Sequence, residues 1–270
     1  MLGHLQHPEL VLRGGPEAQH CEHDDSPAHR LRMLSFRAVR RRDPITILQP
    51  WEPIRFPDPR EAPADAPLAI GGDLRPERLL LAYDQGIFPW YEAGIPPLWW
   101  SPDPRTVLNL DTLHVARSMQ RVLRRGGFQL SWNRAFARVM QECGKERADG
   151  TWILPEMLEA YQRLHALGHA HSLEVWSRGG ELIGGLYGVQ RGGLFAAESM
   201  FHRVRDMSKV ALICAVRALF AAGIEVFDVQ LMTPHLQSLG AVSWPRARYL
   251  DRLAEVRGKQ VALRQLQLRN

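Results

Sequence analysis

Three polar side chains lie in apolar runs, where they are costly unless something pairs with them. "VFDVQ" sets Asp228 and Gln230 two residues apart. On a strand that spacing puts both side chains on one face, so the pair either satisfies itself internally or is presented to a cleft. A carboxylate there can anchor or relay a proton, and a carboxamide can orient an amine or donate to a developing oxyanion. "AESMF" places Glu198 in a second apolar segment. A lone carboxylate in such surroundings needs a cationic partner. That partner is either internal, with Arg203 and Lys209 nearest in sequence, or it is a substrate's ammonium or guanidinium group.

A fourth feature is a stripe. Arg117, Arg121, Arg124 and Arg125 recur at helical spacing, with Met119, Val122 and Leu123 between them. One face of such a helix is basic and the other apolar. The basic face is either ordinary solvated surface or a track for a phosphate backbone. Solvated helices usually interleave Glu with Arg, and this one carries no acid. The charge elsewhere is consistent with a polyanion-binding surface. Lys plus Arg number 34 against 29 acids, a formal charge of +5, and the excess is clustered. Val115 to Arg147 holds eight basic residues against Glu142 and Glu146, and Ala241 to Asn270 seven against Asp251 and Glu255. Clustering of this kind, more than a mildly basic total, is what nucleic acid recognises.

Other chemistries are excluded by what is missing. No run approaches the eighteen or so apolar residues of a membrane span. HExxH, Walker, GxSxG and GxGxxG patterns are absent, so nothing demands a metal or nucleotide cofactor. Cys21, Cys143 and Cys214 form an odd, widely spaced trio without a CxxC pair. They point to a reducing compartment and away from a disulfide framework or zinc site. His20, Cys21 and His23 read as part of a solvated tail. With no apolar signal-peptide core near Met1, the expected setting is the cytoplasm.

These groups must be held by a scaffold. Residues 1–50 read as a poorly structured extension. Residues 51–104 read as a small Pro- and aromatic-rich unit with one helix, "LRPERLLLAYDQGIF", with Asp73 as its candidate cap and Gly86 as its stop. The stiff segment "IFPWYEAGIPPLWWSPDPR" follows, and Trp99 and Trp100 within it read as core. Residues 105–270 hold the arginine helix "DTLHVARSMQRVLRRGG" and a second helix, "ILPEMLEAYQRLHALGHA". After them come Gly-linked strands from "HSLEVW" to "ESMF", a buried helix "SKVALICAVRALFAAG", the strand "IEVFDVQ" and a basic stretch "PRARYLDRLAEVRGK". That succession predicts an α+β fold.

Taken in order, "GGDLRPERLLLAYDQGIFPWY", "PLWWSPDPR", "GTWI", "AYQRLHALGHAHSLEVW", "GGLYGV", "ESMF", "SK" and "HLQSLGA" resemble the leucyl/phenylalanyl-tRNA–protein transferases over roughly Phe56 to Ala241. The resemblance implies a small N-terminal domain and a C-terminal N-acetyltransferase-like (GNAT) domain used without acetyl-CoA. It implies an aminoacyltransferase that moves Leu, Phe or Met from aminoacyl-tRNA onto proteins beginning with Arg or Lys, creating an N-degron for protein degradation. The tRNA ester is already activated, so no ATP and no cofactor are implied, and a monomer is expected. Carried over residue by residue, it assigns Tyr83, Trp90, Trp152 and Tyr161 to the aminoacyl-adenosine end. Leu186, Phe195 and Met200 become an apolar pocket for the transferred side chain, and Arg117, Arg121, Arg124 and Arg125 the tRNA contacts. Glu198, Asp228 and Gln230 carry the reaction, with Glu198 toward the incoming Arg or Lys. Splayed nucleotides stack on aromatic faces at about 1–3 kcal/mol per base. The chain departs from the pattern at His202, where the family usually has Ser, at Met207 where it has Ala, and at Val229 where it has Cys. Three other readings stay open: a related transferase acting on acidic N-termini, an acyl-CoA-dependent transferase, and a catalytically silent RNA-binding protein. Against the acyl-CoA reading, "RVRDMSKVAL" lacks the glycines of a pyrophosphate loop.

Overall fold

A computed structural model describes residues 45–145 and 153–268. The His20–Cys21–His23 group and Trp152 lie outside the described residues. The fold is α+β, as expected, with two sheets. In the first, β1 (Thr46–Leu48) pairs parallel with β2 (Ala69–Gly71), and β4 (Leu98–Trp100) joins β2 to β3 (Phe88–Pro89), both antiparallel. The strand at 46–48 corrects the expectation that structure begins only after residue 50. Its Leu48 is buried and accepts a hydrogen bond from Gly72, so this stretch belongs to the small sheet.

Helix α1 (Pro76–Asp84) starts with Pro at its first position and buries Leu79, Ala82 and Tyr83. Asp73 does not cap it: its carboxylate instead accepts from Arg75 N and Arg75 Nε and pairs with Arg78. Trp99 and Trp100 are core as predicted, with 0% and 3% exposure. Their indole N–H groups donate to Gly71 O and Trp90 O, which satisfies the one polar atom each ring carries.

The second sheet has seven strands in the order β11–β5–β10–β9–β8–β7–β6. These are β5 (Arg105–Leu108), β6 (Phe128–Trp132), β7 (Ala170–Ser177), β8 (Leu182–Arg191), β9 (Leu194–His202), β10 (Val226–Gln230) and β11 (Val242–Trp244). All neighbours are antiparallel except β9 and β10. One face packs against α1, α3 (Phe136–Cys143), α4 (Pro155–Leu167) and the small sheet, in a single buried cluster that includes Tyr83, Trp99, Tyr161 and Tyr187. The opposite face packs against α5 (Met207–Ala221), which is largely apolar and mostly buried, with Arg217 left exposed. Its first turn comes so close to β8 that a Cβ on Gly184 would lie 2.6 Å from the Met207 Cβ. Two further helices matter below: α6 (Pro234–Ser238), capped by Thr233 Oγ1, and α7 (Arg246–Val256), which lies over β10 and β5. The "PRARYLDRLAEVRGK" stretch is thus an amphipathic helix, burying Tyr249, Leu250 and Leu253 and exposing most of its charges.

Candidate active site

The large sheet opens between β9 and β10. β9 pairs with β8 along its whole length, from Leu194 to His202, but with β10 only from Leu194 to Ala196. Two residues beyond that point, Glu198 on β9 and Gln230 on β10 face each other across the mouth, with Gln230 Nε2 donating to Glu198 Oε1 at 2.9 Å. Two bulges produce the arrangement. On β9, Ser199 and Ala197 pair with Tyr187 and Gly188, leaving Glu198 as the extra residue. On β10, Asp228 and Gln230 pair with Val107 and Thr106, leaving Val229 as the extra residue, and Gln230 adopts a φ of 64°. Bulges re-aim side chains at the ends of strand pairing, and here both re-aim a polar group into the opening.

The two carboxylates have contrasting environments. Asp228 has 0% exposure and is enclosed by donors. Arg105 Nε lies 2.9 Å from its Oδ1, Arg105 Nη2 2.6 Å from Oδ2, the Tyr249 hydroxyl 2.8 Å from Oδ2, and the Gln230 backbone N–H 2.8 Å from Oδ1. The Arg105 guanidinium lies between the rings of Phe88 and Tyr249, 4.8 and 4.7 Å from their centroids, and donates to Gly86 O at 3.1 Å. Gly86 is required there, since a Cβ would lie 2.9 Å from the Tyr249 ring and its φ is +71°.

Glu198 has 9% exposure, and among the described residues no Lys or Arg forms an ion pair with it. The internal partners considered from sequence are engaged elsewhere: Arg203 with Glu142, Lys209 with Asp206. Burial pushes the Glu198 carboxyl up to about 8; the Asp228 charge adds to this, while the Tyr83 hydroxyl, Arg105 and the Gln230 amide pull the other way. Above it the hydroxyls of Tyr83 and Tyr161 meet at 2.6 Å, and the buried Tyr187 hydroxyl has no hydrogen-bond partner among the described residues. Both Tyr83 and Tyr161 are held well above the usual phenol range, first by burial and then by the nearby Glu198 charge.

Other predicted site residues are distributed around this centre. Tyr83 and Tyr161 have 1% and 0% exposure, so their faces are covered by protein; in this arrangement they form the wall behind Glu198 and offer no stacking surface. Trp90 is half-buried against the shared core. Leu186 and Phe195 are closed into the α5 side, Phe195 packing on Phe227 with centroids 5.5 Å apart, so neither is open to a ligand. Met200 does reach a cavity, of about 490 Å3, whose other lining is Phe201 and the polar side chains of Glu142, Lys145, His202, Arg203, Ser208 and His235. The bulge at Glu198 turns Met200 and His202 toward α5, where His202 Nδ1 lies 3.3 Å from Ser208 Oγ. His202, one of the three departures from the resembled pattern, therefore adjoins Met200, on the other side of the sheet from the phenols. The four arginines fall on α2 (Arg117–Arg125), all exposed, with no acidic partner among the described residues, while Met119, Val122 and Leu123 turn inward.

Sequence reasoning missed Arg105, Tyr249 and Tyr187. Arg105 heads the apolar run "TVL", just as Asp228 interrupts the apolar "VFDVQ". Two opposite charges each stranded in an apolar strand are a signal for pairing, because neither survives burial alone.

Comparison with known proteins gives the family. The leucyl/phenylalanyl-tRNA protein transferase family model matches residues 107–254, and the model of that family's N-terminal domain matches 72–103. A leucyl/phenylalanyl-tRNA–protein transferase from Anaeromyxobacter sp. (strain K) is 54% identical over 208 residues, 76% of this chain and 88% of that relative. Its counterpart from Citrobacter koseri is 48% identical over 210 residues, covering 77% and 89%. A solved GCN5-related N-acetyltransferase from Kribbella flavida aligns at a TM-score of 0.34 and 10% identity, over 63% of this chain and 61% of that one, a likeness too distant to build on. Both parts of the chain, the small sheet with α1 and the large sheet with its opened β9–β10 edge, belong to the leucyl/phenylalanyl-tRNA–protein transferase family.

Proposed function

We propose that the protein transfers leucine or phenylalanine, and also methionine, from aminoacyl-tRNA to the α-amine of proteins that begin with Arg or Lys. The observation that carries this reading is Glu198: a carboxyl group with 9% exposure, at the mouth of the opened sheet, lacking a Lys or Arg partner among the described residues. A buried carboxyl group at an opening, without a counter-charge, is suited to receive a cation, and an arriving guanidinium or ammonium favours its ionised form. That complementarity supports basic acceptors over acidic ones, whose side chains would be repelled.

The chemistry is ester aminolysis. The neutral α-amine attacks the ester carbonyl, the C–N bond forms as the C–O bond to the terminal ribose breaks, and the proton lost by nitrogen ends on the departing ribose oxygen. The Gln230 carboxamide, held across the mouth from Glu198, is placed to orient the amine or to donate to the oxyanion. Met200, the one predicted pocket residue that reaches a cavity, is assigned to the transferred side chain, with Phe201 beside it as the other apolar lining. The α2 arginines take tRNA phosphates, and Trp90 takes the aminoacyl-adenosine end.

The test is transfer of labelled Leu from Leu-tRNA to peptides that differ only in their first residue, without ATP or acetyl-CoA. Labelling of Arg and Lys peptides is the expected outcome. Labelling of Asp or Glu peptides in their place would reassign the acceptor pocket, and no labelling of any peptide by folded protein would leave RNA binding alone.

A further inference from the structure

The Asp228 carboxylate is surrounded by donors, which bears on what it can do during the reaction. Both oxygens accept from the Arg105 guanidinium, one also from the Tyr249 hydroxyl and the other from the Gln230 backbone N–H. A group with 0% exposure, ion-paired through two parallel bonds, has no free lone pair aimed at the mouth and no path to an incoming amine. Its one link to the site runs through the main chain. The Gln230 N–H bond holds that residue at φ 64°, a left-handed conformation that a Gln rarely adopts without being held there.

Arg105 does the same for the opposite wall. Its Nη1 donates to the Gly86 carbonyl, two residues past the end of α1, the helix that carries Tyr83. Its planar group is sandwiched between Phe88, which follows α1, and Tyr249 of α7. One guanidinium thus joins β10, the end of α1 and α7, and so sets the position of Gln230 and of Tyr83 on either side of Glu198.

We infer that Arg105 and Tyr249 are positioning residues for aminoacyl transfer: they clamp Asp228 so that it shapes the Gln230 turn, and they exclude it as a proton relay. The inference rests on the transfer activity proposed above. Lys cannot replace Arg105, because a point charge does not make the parallel bonds, the stack on two rings and the bond to Gly86 together.

Tyr249→Phe is the discriminating variant, since it keeps the ring against Arg105 and removes only the hydroxyl from Asp228. A clamp predicts that kcat falls about tenfold with KM for aminoacyl-tRNA and thermal midpoint little changed. A relay predicts the opposite, because a carboxylate relieved of one donor is a better proton acceptor; kcat unchanged or raised would overturn the proposal. Arg105→Lys is the second variant, expected to lower kcat by about a hundredfold and to shift the pH profile of kcat, since both walls of Glu198 loosen. An Arg105→Lys enzyme with wild-type kcat and pH profile would also overturn it, and if that variant does not fold, Tyr249→Phe decides alone. Absence of transfer by the wild-type protein would refute the functional reading itself, an outcome distinct from wild-type and Tyr249→Phe proteins transferring equally well.

Discussion

Asp228 and Glu198 are both buried acids on neighbouring strands of one sheet, yet their surroundings could hardly differ more. Asp228 accepts from three residues, and its charge is answered by Arg105 within the fold. Glu198 accepts from the Gln230 amide, and its charge is answered by no Lys or Arg among the described residues. Burial is therefore not what marks a functional carboxyl group. Nor is the missing counter-charge enough. Glu174 is also buried without a Lys or Arg partner among the described residues, but it accepts from Ser131, Ser172 and the backbone N–H groups of Arg134 and Ala135. What sets Glu198 apart is that the counter-charge is withheld at the mouth of an opened sheet, where a ligand can bring one.

This contrast is open to attack at several points. The largest effect is expected from Asp228→Ala, which strands the Arg105 guanidinium; chemical denaturation should report a loss of about 3–5 kcal/mol, and a loss under 1 kcal/mol would show that the clamp is not structural. Glu198→Gln should do the reverse. Stability is retained or improved, while transfer to Arg and Lys peptides drops by at least about a hundredfold, as expected when one partner of a buried charge pair is removed. An enzyme that still labels Arg peptides would remove Glu198 from acceptor recognition.

The third prediction concerns pH. The folded-state value of Glu198 lies at about 8, above the ordinary 4.5, so the folded protein binds the extra proton. Its contribution to stability is fully present below 4.5 and is lost as pH rises through 8, with a slope of up to about 1.4 kcal/mol per pH unit. Denaturation midpoints of wild type and Glu198→Gln compared between pH 5 and pH 9 should show that slope in the wild type alone; parallel curves would mean Glu198 is solvated. A smaller effect is expected of the exposed stripe. Reversing Arg121 and Arg124 to Glu should lower the slope of log affinity for tRNA against log salt by about 2, and an unchanged slope would place the tRNA elsewhere. The least is expected of His202→Ser. Because His202 lies beside Met200 and away from Glu198, the Leu-to-Phe preference should move by under about 1 kcal/mol with the Arg-to-Lys acceptor preference untouched.

The polar residues of the mouth were legible in the sequence because each interrupts an apolar run. Alternation holds for Phe227 and Val229, both on the α5 side. The bulge interrupts it between Asp228 and Gln230, which pair with consecutive residues of β5, so the expected sharing of one face is not simply kept. Their separate fates, one sealed inward and one turned to the cleft, depend on Arg105 and Tyr249, respectively 123 and 21 residues away from Asp228. Such long-range pairing leaves no local periodicity to read. The aromatic segment was similarly half legible. Its prolines and tryptophans announced a stiff core, borne out at Trp99 and Trp100. The apolar stripes of the two helices, Leu79, Ala82 and Tyr83 on α1 and Met157, Tyr161 and Leu164 on α4, do place both phenols on buried faces. That their hydroxyls meet comes from α1 and α4 packing over the sheet, which neither helix's own pattern shows.

The bulge at Glu198 has a consequence for how this strand tolerates change. Before it, Phe195 and Ala197 turn to the α5 side and Ala196 to the phenol side; after it, Met200 turns to α5 and Phe201 to the phenol side. Odd and even positions have exchanged roles within six residues. Removing the one extra residue would restore plain alternation and leave Met200 and Phe201 on the faces they already occupy, so the packing of the far end does not depend on it. The bulge serves the mouth and not the strand: a shorter β9 would pack as well and carry no carboxyl group there.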